Sequence, residues 1–335
     1  MYKHFIAVDW AKSNMAIARM TEGSNNIKVV DVPTNLGNLK DSIDALCGSK
    51  ILTIEETTTS QWLYTELRPL VDELVVCDPY RNKLLSDGPK NDSADAKKLV
   101  QLLKAGLLKP VFHSGSHFLK LRRLVSGYND MINRGVRLKN QRSAIYKYNG
   151  REVHEPFKSA IDEFVLEGIE KDIERYEAER KRYVEKIKEE IRKSQLLKYL
   201  DQIPGIGEIG AIKIASYVVD AKRFKTTNHF LAYCGLIKLE KISGGQYYGC
   251  RTPRHRRDLK AVFKTAALAV ISSENDFKDY YNYLMQSKNY PEFQARHAVA
   301  RKIAIASFGV MNSKTRFNPK KIGALKNLTS KLHRP

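Results

Sequence analysis

Phe5-Ile6-Ala7-Val8-Asp9 is an apolar run closed by a carboxylate, and the elements that follow it decide the fold. A second run, Met15 to Met20, comes after a short polar turn, and Asn26 to Val32 alternates and is rich in β-branched residues. Three strands on tight connections predict an antiparallel meander. Leu36, Leu39, Ile43 and Leu46 then recur at helical spacing until Gly48 stops the pattern. Ile51 to Ile54 reads as a buried strand, and Trp62, Leu63, Leu67 and Leu70 mark a helix. Leu74 to Cys77 is another buried strand, ended by Asp78-Pro79, and Asp92 to Leu108 reads as a helix with Leu99, Leu102 and Leu103 on its apolar side. A meander followed by alternating helices and strands predicts a mixed sheet with helices packed on it.

That order of elements is also the order of the ribonuclease H-like nuclease fold, and carboxylates stand where such a nuclease would need them. Asp9 ends the first strand, Glu55 and Glu56 end the fourth, and Asp92 and Asp95 lie three apart, on one face of a helix. An all-oxygen cluster suits a hard cation such as Mg²⁺. A pair of such ions, roughly 4 Å apart, can clamp the attacking and leaving oxygens of a phosphoryl transfer. Each residue alone has a plain structural reading: a turn former for Asp9, a helix cap for Asp92, solvated surface for the glutamates. Their order at successive element ends favours the joint reading.

The composition agrees with a polyanionic partner. The 335 residues suffice for two domains, and 58 Lys+Arg against 37 Asp+Glu leave a formal charge of +21. Such a surface concentrates nucleic acid around it. No apolar run is long enough to span a bilayer. Met1 to Asp9 reads as a strand and not as a leader, and a cytoplasmic protein is expected. Cys47, Cys77, Cys234 and Cys250 are scattered without a C-x-x-C pair, so buried free thiols in a reducing compartment are expected.

Three motifs in the first hundred residues carry a resemblance. Ala7-Val8-Asp9-Trp10-Ala11-Lys12, Glu55-Glu56-Thr57 with Cys77-Asp78-Pro79, and Lys90-Asn91-Asp92-Ser93-Ala94-Asp95-Ala96 resemble the DEDD transposases of the IS110 family, which include the pilin-gene invertases. The last match is the most specific. Thr58 stands where the family has a glycine. The resemblance implies a RuvC-like N-terminal domain that binds Mg²⁺, with Mn²⁺ able to substitute, through Asp9, Glu55, Asp92 and Asp95. Because Glu56 also neighbours the threonine, the choice between Glu55 and Glu56 stays open, with Glu55 preferred.

Beyond residue 110 the pattern turns helical and basic. Leu119 to Tyr148 carries Arg122, Arg123, Arg134, Arg137, Lys139 and Arg142 as candidate phosphate contacts. Ala160 to Leu200 repeats apolar residues in a charge-rich background, which suits one long amphipathic helix, paired as a coiled coil, and self-association as a dimer or tetramer. The expected organisation is a catalytic domain over 1–110, a helical basic connector over 111–198, a mainly α C-terminal domain over 199–315, and a basic tail over 316–335.

The C-terminal third adds two signals. Ile203-Pro204-Gly205-Ile206-Gly207 with Ala211 fits the hairpin of a helix-hairpin-helix motif, whose glycines bring backbone amides to a phosphate at a helix N-terminus. A plain helix–helix turn is the competing reading. Ile242-Ser243-Gly244-Gly245 precedes an arginine cluster, Arg251, Arg254, Arg256 and Arg257, with His255 among them as a further phosphate contact. Alone, Ser-Gly-Gly is a common loop. In the resembling family a serine at this place, after a Gly-Leu segment here matched by Gly235-Leu236, is the nucleophile and forms a covalent phosphoserine link to DNA. Ile242 and Gln246 depart from that family's flanking serine and lysine. His113 and His117 are four apart, but Gly115 between them favours a loop over a metal pair. The resemblance runs from Ala7 to about Phe308.

The expected function is therefore recombination of an insertion sequence, with DNA as substrate and, by the resemblance, a guide RNA from the element's flank as partner. Two other classes remain in view: a junction-resolving endonuclease that uses the same carboxylates with water, and a nucleic-acid-binding protein without catalysis.

Overall fold

The computed structural model describes residues 2–82, 91–153, 155, 157 and 159–320. Lys90 and residues 321–335 of the basic tail lie outside the described residues. The chain divides into two compact units, Met1–Gly115 and Ser116–Pro335.

In the first unit the opening run becomes the middle strand of a five-stranded sheet. The elements are β1 (His4–Trp10), β2 (Asn14–Thr21), β3 (Lys28–Pro33), α1 (Leu36–Asp44), β4 (Lys50–Glu55), α2 (Ser60–Leu67), β5 (Glu73–Cys77), the single-turn α3 (Pro79–Asn82) and α4 (Asp92–Lys104). The sheet order is β3-β2-β1-β4-β5. The meander pairs antiparallel, and β1–β4 and β4–β5 pair parallel, so the sheet is mixed as expected.

Alternation along the strands builds two cores. Ile6, Val8, Leu52, Ile54 and Val76 face Leu39 and Ile43 of α1 and Leu63 and Leu67 of α2. Ala7, Ala16 and Ala18 face Ala96, Leu99, Val100 and Leu103 of α4. Alanines on that second face let α4 lie close to β1 and β2. The position of α4 fixes where its first turn, and hence Asp92 and Asp95, meets the sheet.

The second unit is mainly helical: α5 (His117–Tyr148), α6 (Ala160–Lys193), α7 (Gln195–Asp201), α8 (Gly207–Val218), α9 (Thr227–Tyr233), β6 (Leu239–Ser243), β7 (Gln246–Arg251), α10 (Arg257–Ile271), α11 (Asp276–Ser287) and α12 (Glu292–Ser313). One core joins α5, α6 and α7 to the small-residue helix α8 and to α10, α11 and α12. The single helix expected over 160–200 is in fact two. Ser194 takes an extended conformation and its hydroxyl caps α7 by accepting from the Leu197 amide. The partner of the α6 apolar stripe is α5 of the same chain, running antiparallel, with Gly127 under Tyr183, Gly135 under Tyr176 and Arg142 paired to Glu170. A two-stranded hairpin, β6–β7, was not foreseen in this helical half.

All four cysteines are free, but only Cys77 and Cys234 are buried; Cys47 and Cys250 are exposed, against the expectation. No described helix is long and apolar enough to cross a membrane.

Candidate functional site

Asp9 and Glu55 are neighbours because their strands are. Val8 of β1 lies opposite Ile54 of β4 in a parallel pair, so the next residues, Asp9 and Glu55, stand at the same carboxyl end of the two strands. The N-cap of α4 is Asn91, whose side chain accepts from the Ala94 amide. Asp92 is therefore free of the capping duty its position suggested, and with Asp95 it occupies the first turn, where the helix dipole favours negative charge.

Asp9 and Glu55 feel the carboxylates around them. Burial first, and then the charges of Asp92 and Asp95, push the Asp9 carboxyl up to about 6. Burial, then Asp9 and then Asp95, raise Glu55. Asp95 has one cationic neighbour, Lys98, at 3.8 Å. Among the described residues no three of His, Cys, Asp and Glu are gathered tightly enough to enclose a metal ion as they stand. The donor set nonetheless suits a hard divalent cation: it offers oxygen ligands only, and two of them, Asp9 and Glu55, are half buried and held above their ordinary carboxylate values.

Glu56 points elsewhere. His113 Nε2 lies 2.5 Å from its Oε2, and Ser60 Oγ donates to the same oxygen at 3.1 Å. His113 Nδ1 donates to Gln61 Oε1 at 2.8 Å, and the Gln61 amide is itself anchored on the Ser114 carbonyl. The His113 side chain is 7% exposed and lies beside the Tyr64 ring. The sequence reading treated His113 as a loop residue and missed this network. His117 belongs to the second unit, where it pairs with Glu190 at 3.0 Å.

In the second unit Ser243 is the last residue of β6, opposite Gln246. Gly244 and Gly245 form the two-residue turn with φ of 56° and 79°. Positive φ at both central positions is the type I′ hairpin turn, which twists with its strands and excludes most side chains. The two glycines thus have a structural reason. The turn also holds Ser243 at an exposed tip, where its hydroxyl has no hydrogen-bond partner among the described residues.

The other candidates divide. Arg251, Arg254 and Arg257 are exposed. Arg256 is exposed but its guanidinium lies over the Tyr217 ring, 4.9 Å from the centroid. His255 donates from Nδ1 to the Pro253 carbonyl at 2.8 Å and its ring lies against Gly235. Gly205 (φ 80°) packs so close to α10 that a Cβ would stand 2.5 Å from the Ala266 carbonyl oxygen. Gly207 (φ 60°), the first residue of α8, has open space beside it.

Three of the expected phosphate contacts on α5 are used internally. Arg122 donates to the Ser216 and Tyr217 carbonyls at the end of α8, Lys139 pairs with Glu177 and Arg142 with Glu170. Arg123, Arg134 and Arg137 remain exposed.

Two family models match the chain. One is a DEDD transposase model of the IS110 type, described as a transposase, and matches residues 6–147, the stretch that holds Asp9, Glu55, Asp92 and Asp95. The other is described as the transposase IS116/IS110/IS902 family and matches residues 197–282, the stretch that holds Gly205, Ser243 and Arg257. Between them they cover more than half of the chain. No curated protein matches it.

Proposed function

This chain belongs to the IS116/IS110/IS902 family of transposases and is a DNA-processing enzyme, and from that premise we propose that it exchanges DNA strands through a covalent phosphoserine intermediate on Ser243. The first unit then works as a RuvC-like domain of the ribonuclease H type, and the β6–β7 hairpin of the second unit carries the nucleophile. Ser243 Oγ attacks a backbone phosphorus and forms a P–O bond to the protein. The P–O bond to one deoxyribose breaks, and that hydroxyl end leaves with a proton. Attack on the phosphoserine by the hydroxyl of another strand end joins the strands and restores the serine. Each step exchanges one phosphodiester for another, so no external energy source is needed.

Each group has a role its surroundings support. The type I′ turn presents the hydroxyl at an exposed tip, and Arg251, Arg254, Arg256 and Arg257 supply donors for backbone phosphates. Gly205 and Gly207 bring the amino end of α8 toward a phosphate without reading sequence. Asp9, Glu55, Asp92 and Asp95 would hold Mg²⁺, or Mn²⁺ in its place. When bound, that ion neutralises charge developing on the phosphate oxygens. Glu55 is preferred over Glu56 because His113 and Ser60 already hold Glu56. The observation that carries the reading is that Asp9 and Glu55 stand at the same end of a parallel strand pair, with Asp92 and Asp95 of the first turn of α4 close enough to add to burial in raising Asp9.

Further parts of the reading concern partners. A structured RNA from the element's flank would guide the choice of DNA, and exposed Ile161, Phe164 and Val165 at the start of α6 support association into a dimer or tetramer. The test is a covalent-adduct assay with labelled DNA carrying the element's joined ends, Mg²⁺ and RNA transcribed from its flank. Label is expected to stay on the protein in a denaturing gel, and to be lost in both Ser243→Ala and Asp9→Ala. Free cleaved DNA that Ser243→Ala still makes, with no adduct, would replace this reading with a water-using endonuclease.

A further inference from the structure

A cavity of about 730 Å³ opens in the second unit between α10, α12 and the turn over residues 235–238. Its wall carries Lys238, Lys260, Lys264, Arg296 and Arg301, and among the described residues no carboxylate lines it. Arg296 is paired with Glu292 at 3.3 Å, whereas Lys238, Lys260, Lys264 and Arg301 have no anionic partner among the described residues. Lys260 and Lys264 sit one helical turn apart, about 6 Å along the axis, a spacing comparable to that of successive phosphates in an extended strand. His297 lies in the same wall and donates from Nε2 to the Leu236 carbonyl at 3.1 Å. Burial first, and then the positive charges of Arg301, Lys264 and Lys260 among others, hold it below its ordinary value, so these cations act on one point.

The cavity has an apolar side as well. Phe293 at its rim is 67% exposed, and Tyr290 lines the wall nearby. An exposed ring beside a row of unpaired cations is how proteins hold a single strand: the cations track the backbone and the ring stacks on a base. A duplex keeps its base faces covered and leaves such a ring without a partner. The cavity also borders both ends of the Ser243 hairpin, since Lys238 immediately precedes β6 and Thr252 immediately follows β7.

We propose that this cavity is a binding site for a single DNA strand, with backbone phosphates on Lys238, Lys260, Lys264 and Arg301 and a base stacked on Phe293. That the strand is the one running toward the scissile phosphate rests on the reading of Ser243 above; the binding itself does not. None of Arg251, Arg254, Arg256 and Arg257, and neither Gly205 nor Gly207, is among the residues that line it.

The test is fluorescence anisotropy with the full chain in EDTA, so that neither cleavage nor an adduct contributes, using an end-labelled single-stranded DNA of mixed sequence. Lys260→Ala/Lys264→Ala is expected to weaken binding at least tenfold and to lower the log–log salt slope by about 1.4, the value for two phosphates of a single strand. Lys260→Arg/Lys264→Arg should restore both. Phe293→Ala should weaken single-strand binding roughly tenfold, as loss of one base stack does, with the salt slope unchanged and duplex binding changed less than threefold. Unchanged affinity and slope in the double alanine variant, in protein with wild-type circular dichroism, would overturn the site. An equal loss of duplex binding in Phe293→Ala would overturn the single-strand assignment, and a response confined to an RNA oligonucleotide would overturn the assignment to DNA. Failure of the adduct assay leaves all of these readouts intact.

Discussion

Asp9 shows how much a residue's meaning depends on neighbours that are distant in sequence. Its carboxyl sits near 6 in the folded protein against 3.8 when unperturbed. The folded state therefore holds the proton more tightly than the unfolded chain, and the linkage has a definite sign: stability from this group is greatest below about pH 4 and is lost as pH rises through 6. At neutral pH without metal, the charged carboxylate is a net cost. A shift of about two units corresponds to at most about 3 kcal/mol, and partial exposure reduces this to about 1 kcal/mol. Asp9→Asn is accordingly expected to stabilise the protein by about 1 kcal/mol in urea denaturation at pH 7.5 with EDTA, and by nothing measurable at pH 4. Mg²⁺ should then stabilise the wild type and not the variant. A variant less stable than wild type in EDTA would mean that Asp9 serves the fold and not a cation. The sequence named Asp9 because it ends an apolar run, but it left Glu55 and Glu56 undecided. What separates them is His113, 57 residues further along the chain than Glu56. No spacing rule reveals such a partner, since it is created by the loop that returns after α4.

Elements were legible where their apolar period was unambiguous. The strands and helices of the first unit follow the apolar run of Phe5–Val8 and the three-and-four spacing of Leu36, Leu39 and Ile43, and all but the single-turn α3 lie within a few residues of their expected bounds. The same rules erred in the second unit for physical reasons. Ser194 breaks α6 through a cap that propensity alone does not foretell. The β6–β7 hairpin is exposed on both faces, so it lacks the burial pattern by which strands are read, and only Gly244-Gly245 could have announced it. The apolar stripe of α6 correctly demanded a partner, yet nothing in its period said that the partner was α5. Glycines make that pairing close. A Cβ on Gly135 would overlap the Tyr176 ring, whereas one on Gly168 would meet nothing within 4 Å. Gly135→Ala is therefore expected to lose about 1–3 kcal/mol to overpacking, minus the helical gain of alanine. Gly168→Ala should gain about 0.5–1 kcal/mol. Thermal unfolding of the two variants checks this, and a stabilising Gly135→Ala would show that the helices do not approach so closely.

At the scale of the whole molecule a charge of +21 draws DNA toward the protein, but the number does not say which cations meet phosphate. The structure divides them. Lys139 and Arg142 are committed to Glu177 and Glu170 across the α5–α6 pair. Arg251 and Arg257 are exposed, the first in β7 and the second at the start of α10, and both follow the serine hairpin turn. Counterion release converts this division into a measurement, since each phosphate neutralised on a duplex adds about 0.9 to the magnitude of the log–log salt slope. Arg251→Ala/Arg257→Ala should lower the slope for duplex DNA by about 1.8, weakening binding far more at low salt than at high salt. Lys139→Ala/Arg142→Ala removes the same formal charge and should leave the slope unchanged, with a loss confined to the stability of the helix pair. Equal effects from the two variants would mean that DNA answers to net charge alone. It would also mean that the arginines that follow the hairpin turn are no more engaged than any other cation on the surface. Unequal effects in the expected direction would place the duplex on Arg251 and Arg257, by a measurement that requires neither metal nor turnover.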